Sequence, residues 1–164
     1  MYFYINLYIL FSILGYIFEE LLMILIGKSY NSSVLYGPWT SVYGISIYIM
    51  LVIYYLVKKI SLDTKKEKII YFFISSIILS LLEGITGILI EKTRHVIYWN
   101  YDKYLFNIGH YMCLEAAILW GILSIISTYY ILPKIKKYIY KFPKVLTILI
   151  LIMYIVDVLI SCIK

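Results

Sequence analysis

Charge is scarce in this 164-residue chain: 15% of residues are Asp, Glu, Lys or Arg, and nine of those are acidic. Soluble domains carry about a quarter charged residues. The composition therefore excludes a soluble enzyme, a disordered tail and a nucleic-acid-binding domain. Cysteine is scarcer still. Cys113 and Cys162 are the only two, too few for a disulfide scaffold or a metal cage. A phosphate-binding P-loop, a dinucleotide glycine pattern, a paired-histidine zinc helix and a CxxC pair are also missing. No metal or cofactor is expected, and any ATP must be hydrolysed by another subunit. What fills the chain is apolar: 63% of residues are hydrophobic and the mean hydropathy is +0.91.

A bilayer core takes about 20 apolar residues of helix to cross. Five stretches qualify, at 2–26, 34–57, 69–90, 111–132 and 145–163. Their length and lack of turn residues favour helices over buried strands. The expectation is one all-α transmembrane domain over 1–164, a polytopic bundle of about five helices. The first stretch lacks a basic flank and a small-residue cleavage site, so it is expected to be retained as a helix.

The loops carry the orientation. Lys58, Lys59, Lys65, Lys66 and Lys68 surround the second connection, and Lys134, Lys136, Lys137, Lys141 and Lys144 the fourth; these are ten of the 15 positive residues. Positive loops stay on the cytoplasmic side. The expected protein is a multi-pass cell-membrane protein with a cytoplasmic N-terminus and an external C-terminus. The 28–33 and 91–110 loops then face outward. The connector 61–68 reads as a solvated link.

Ionisable residues inside membrane helices are costly and need a reason. Five acids fall in the proposed spans: Glu19, Glu20, Glu83, Glu115 and Asp157. At about 1.5 Å per residue, Glu19 and Glu83 lie roughly 10 Å from the outer helix ends, Asp157 about 9 Å and Glu115 about 6 Å. Tyr8, Ser12, Gly15 and Glu19 share one helical face, as do Ser76, Ser80, Glu83 and Gly87. Small and hydroxyl residues let membrane helices approach closely, so Glu19 and Glu83 are expected to point inward. Tyr154, Asp157 and Ser161 form a weaker polar face. Glu115 lies opposite the small stripe of its helix, and either faces a cavity or snorkels outward.

Two outward segments bring candidate partners. Gly37-Pro38 breaks the start of the second span, where Tyr36, Trp39 and Tyr43 can line a cavity or form an interfacial aromatic belt. The 91–110 loop holds Arg94, His95, Trp99, Asn100, Asn107 and His110 and reads as a short lid, or as an interfacial loop without a ligand. Glu19 and Glu83 are expected to converge under it. A purely structural role, with the acids paired to Arg94, Lys92, a histidine or a tyrosine hydroxyl, stands beside a binding role.

The motifs also resemble a known pattern. Gly15-Tyr16-Ile17-Phe18-Glu19, Tyr36-Gly37-Pro38 with Val42-Tyr43-Gly44, Leu82-Glu83-Gly84-Ile85-Thr86 with Glu91-Lys92, and Trp99-Asn100-Tyr101 with Phe106-Asn107-Ile108-Gly109-His110, Cys113 and Trp120-Gly121 occur in order at fitting spacings. From about Phe11 to Pro133 the chain resembles the bacterial CmpB-like, type IV family of ABC-transporter permeases. Ser41 stands where that family tends to have proline, Asn100 where it has aspartate and His110 where it has arginine. An ion pair between the last two positions would here become a neutral hydrogen bond. The resemblance implies an integral-membrane partner of an ATPase.

The leading reading is a transport subunit binding a small polar or cationic solute in an outward-facing pocket. Its candidate residues are Glu19, Tyr36, Trp39, Tyr43, Glu83, Arg94, Trp99, Asn107, His110 and Glu115. Carboxylates would meet the charge, and aromatic rings would add cation–π contact. Expected partners are the lipid bilayer and either a cytoplasmic ATPase subunit or further copies of the chain, with no nucleic acid. The alternatives are an intramembrane enzyme acting on a lipid-linked substrate, for which no nucleophile motif is present, and a non-catalytic scaffold.

Overall fold

The computed structural model describes residues 2–26, 34–60 and 63–163. The elements are α1 (Tyr2–Ile26), α2 (Ser41–Lys59), α3 (Thr64–Arg94), α4 (Leu114–Ile125), a π-helical segment (Ile126–Ile131), α5 (Leu132–Lys141) and α6 (Lys144–Ile163), with no strand among the described residues. Among the described residues five helices are long and apolar enough to cross a bilayer: α1, α2, α3, the continuous run Leu114–Lys141, and α6. The all-α, multi-pass membrane fold expected from hydropathy is therefore the observed one. The loop expected over 28–33 lies outside the described residues, as does Ser61.

Helix boundaries follow local chemistry. α2 starts at Ser41 rather than at 34, and residues 34–38 are bent. Pro38 has no N–H to donate and disfavours helix in the residue before it. α3 has 31 residues, about 46 Å of helix, so it outruns a core of about 30 Å. Its first turn carries Glu67, assigned by sequence to a solvated connector; Glu67 is instead only 4% exposed. α3 stops at His95, whose φ of 55° turns its N–H back to the Glu91 carbonyl at 2.8 Å, a left-handed C-terminal cap. The π-helical segment precedes Pro133. Proline gives no N–H to a carbonyl four residues back and crowds that turn. The turn widens ahead of it, and the Leu132 N–H reaches Ser127, five residues back.

The chain divides into two compact units, Met1–Ile45 with Ile135–Lys164, and Ser46–Lys134. In the first, α1 packs on α6. The Tyr8 and Tyr154 hydroxyls are 2.6 Å apart, and the Thr147 hydroxyl donates to Asn6 at 2.7 Å. Gly15 lies against the Tyr43 ring, where any side chain would overlap it. In the second, α3 packs on α4. Gly121 leaves room for Phe72 and Ser76, and Ser124 donates to Ser75 at 2.7 Å. Ser76, Ser80 and Gly87 are buried while Ile77, Leu81 and Ile85 are exposed, so the face of α3 that carries Glu83 is the packed one. The exposed apolar face is suited to lipid.

Candidate functional site

In the second unit the site is built around Glu83. The Tyr101 hydroxyl donates to its Oε1 at 2.8 Å, and the Trp120 indole N–H donates to its Oε2 at 2.8 Å. α3 supplies the acid, α4 the tryptophan and the connecting loop the tyrosine. The loop reaches the helix because two glycines let it: Gly84 lies against Met112 and Gly87 against Tyr111. It holds its shape through Tyr101 N–H to His110 carbonyl (2.8 Å) and Ile108 N–H to Met112 carbonyl (2.9 Å). It turns through positive φ at Phe106 and Gly109. The loop thus folds back on itself beside α3.

The other expected residues of this unit are spread over the loop and the helix ends that flank it. Trp99 packs edge-on to Tyr111 at 5.6 Å, and its indole N–H is buried without a hydrogen-bond partner. Arg94 is half-buried and makes no ion pair among the described residues. Asn107 is exposed and bonds only locally, to Gly109 at 3.5 Å. Glu115, on the first turn of α4, is exposed. The partners of Glu83 are thus a tyrosine and a tryptophan, not Arg94 or Asn107.

His110 and Asn100 do not bond each other directly. Asp102 stands between them: His110 Nδ1 is 2.7 Å from its Oδ1, and Asn100 Nδ2 donates to its Oδ2 at 2.9 Å. The Asp102 N–H returns to Asn100 Oδ1 at 2.6 Å. An acid two residues on supplies the negative charge that position 100 lacks. The hydrogen bond from Asn100, and then that from His110, hold the Asp102 carboxyl below its ordinary value.

The first unit has its own acid cluster, and its centre is Asp157. Four donors converge on this carboxylate: the Tyr36 N–H (3.1 Å) and Ser161 hydroxyl (3.3 Å) on Oδ1, and the Gly37 N–H (2.8 Å) and Trp39 indole (2.6 Å) on Oδ2. Trp39 is buried and Tyr36 is exposed. The N–H groups freed ahead of α2 are thus satisfied by a carboxylate. Glu19 is half-buried and accepts from the Thr40 hydroxyl at 3.2 Å. Tyr43 packs over Gly15 and edge-on to Phe18 at 6.4 Å. Glu20 keeps one carboxylate oxygen buried without a partner.

Sequence reasoning missed Asp157 as an organiser, and also Tyr101 and Trp120 as partners of Glu83. A signal existed for Asp157: a broken helix start leaves N–H groups that an acid elsewhere must meet. Nothing local linked Trp39 to a residue so far along the chain.

No curated protein and no solved structure matches the chain. A family model does, over residues 6–163, nearly the whole sequence and both acid clusters. The chain therefore belongs to the family described as "putative ABC-transporter type IV".

Proposed function

We propose that the protein is the membrane-embedded subunit of a transporter and that the Glu83 cluster is where a small polar or cationic solute binds. The supporting observation is an acid in a membrane-spanning helix held by aromatic donors beside a folded-back loop. Each Glu83 oxygen receives one bond and a carboxylate oxygen can accept two, so acceptor capacity remains for a ligand. The rings of Tyr101 and Trp120 add cation–π attraction, and the unpartnered Trp99 N–H offers a donor to a polar solute. Tyr36 and Trp39, committed to Asp157, serve as framework in this reading. A separate cytoplasmic ATPase subunit drives movement, and both lysine-rich connections face that side.

Three measurements test this. Copurification from the native membrane should bring down an ATPase; a chain isolated alone from every preparation counts against a transport subunit. Glu83→Gln should lose solute binding while its melting temperature holds. An unfolded Glu83→Gln variant, with no solute ever found for the parent, supports a scaffold instead. Cysteines placed at Asp63 and Lys103 report orientation in intact cells. An impermeant reagent should label position 103 and spare 63, and the reverse pattern overturns the assignment.

A further inference from the structure

A second polar cluster lies at the lysine-rich end of the second unit, where no transport role has been assigned. Glu67 is buried there. Its carboxylate accepts from the Tyr129 hydroxyl at 2.7 Å and pairs with Lys58 at 3.3 Å. Tyr129 meets Tyr54 and Tyr71 edge-on, with centroids at 5.2 and 5.4 Å. This acid is already matched in charge and hydrogen bonds.

The next residue, Lys68, is not matched in charge. Its ammonium lies 5.2 Å from the ring centres of both Tyr129 and Tyr130 and 3.4 Å from the Tyr130 hydroxyl. It makes no ion pair among the described residues. Because Lys58 and Tyr129 occupy Glu67, that carboxylate does not compete for Lys68. An ammonium placed on two aromatic faces, beside a hydroxyl free to donate, is half of an anion site.

The surroundings identify the anion. Tyr130 is 52% exposed, and Ile126 and Ile122, about one and two turns back, are also exposed. On α3, Ile69 and Phe73 beside Lys68 are exposed as well. These residues continue the apolar surface that a membrane-spanning helix turns to lipid. The Lys68 ammonium therefore borders that surface, where a bilayer spanned by these helices would present its phospholipid phosphates. A soluble protein would instead meet lysines standing clear in water, as Lys65 and Lys66 do.

We propose that Lys68 and Tyr130 bind the phosphate of an anionic phospholipid. Lys68 supplies the charge, and the rings of Tyr129 and Tyr130 hold it in place. The Tyr130 hydroxyl accepts from Lys68 and donates to a phosphate oxygen. This is independent of which solute, if any, meets Glu83.

The test uses the full chain purified in detergent with equal amounts of phosphatidylglycerol and phosphatidylcholine, with retained lipid read by native mass spectrometry. Phosphatidylglycerol should be enriched. Lys68→Gln should cut that enrichment roughly five-fold, the worth of one lysine at an anionic surface. Lys68→Arg should restore it, Tyr130→Phe should lower it by less, and Lys137→Gln on α5 should leave it unchanged. If Lys68→Gln lowers the melting temperature, Tyr130→Phe, which keeps the ring, carries the test. Three results overturn the proposal: no enrichment in the parent, equal losses in Lys68→Gln and Lys137→Gln, or unchanged lipid retention in Lys68→Gln accompanied by loss of a soluble ATPase partner.

Discussion

Both units hold a carboxylate against a tryptophan indole, yet the two acids are bonded differently. Asp157 receives three N–H donors and one hydroxyl, and two of those donors are backbone groups freed by Gly37-Pro38. Glu83 receives one indole N–H and one tyrosine hydroxyl, both from side chains. The first arrangement is nearly full, and its three N–H donors cannot reverse their polarity. The second has spare acceptor sites and one partner, Tyr101, that can rotate its proton. A saturated carboxylate fixes backbone; one with open acceptor sites has capacity for a ligand.

Removing the acids breaks the comparison most severely. Asp157→Ala strands the Tyr36, Gly37 and Trp39 N–H groups, and should cost about 3 kcal/mol of stability. Glu83→Ala strands one indole and one hydroxyl and should cost about 2 kcal/mol or less. Unfolding in mild detergent gives both values, and a larger loss at Glu83 would reverse the assignment of roles.

Amide substitution sharpens the contrast. In Asp157→Asn the new NH2 group must face at least one fixed N–H, either Tyr36 or the Gly37–Trp39 pair, at a cost of about 1–2 kcal/mol. In Glu83→Gln the NH2 can face Tyr101, whose hydroxyl turns to accept, while the amide oxygen keeps Trp120. The expected loss there is below about 0.5 kcal/mol. Equal losses in the two variants would show that the flexible partner at Glu83 does not matter. Tyr101→Phe tests that partner directly. It should cost about 1 kcal/mol or less and speed amide exchange across residues 96–112, while exchange within α6 stays unchanged.

The smallest effect concerns the loop alone. Asp102 has a lowered folded value, so its contribution is fully present above the ordinary carboxylate value of about 4 and is lost as pH falls through the lowered one. The 100–110 segment should therefore hold its exchange protection from neutrality down to about pH 4 and lose it below. Asp102→Asn should be less protected already at neutral pH and lack the acid step. An acid step that survives in this variant would assign it to another group.

The five spans and the packed faces of α1 and α3 follow from hydropathy and helical spacing. Those signals are local, repeating every few residues. The acid partners were not legible in the same way. Trp39 and Asp157 are 118 positions apart, and Trp120 and Glu83 are 37 apart. Only tertiary packing joins them. Glu67 misled for a different reason: beside Lys65, Lys66 and Lys68 it looks like one more solvated charge, and its burial depends on Tyr129, 62 residues away. The π-helical segment had a visible cause in Pro133, but proline alone does not say whether a helix kinks, breaks or widens.

The distance between Trp39 and Asp157 sets an order in time. Trp39 leaves the ribosome 118 residues before its acceptor, which at about 5–20 residues per second is an interval of roughly 6–24 s. Throughout it the N–H groups of residues 36 and 37 have no carboxylate to meet. The start of the second helix must therefore wait, loosely held, for the last helix to be inserted. A chain cut short before residue 157 would leave that early segment open to proteases, although every one of its own residues had been made.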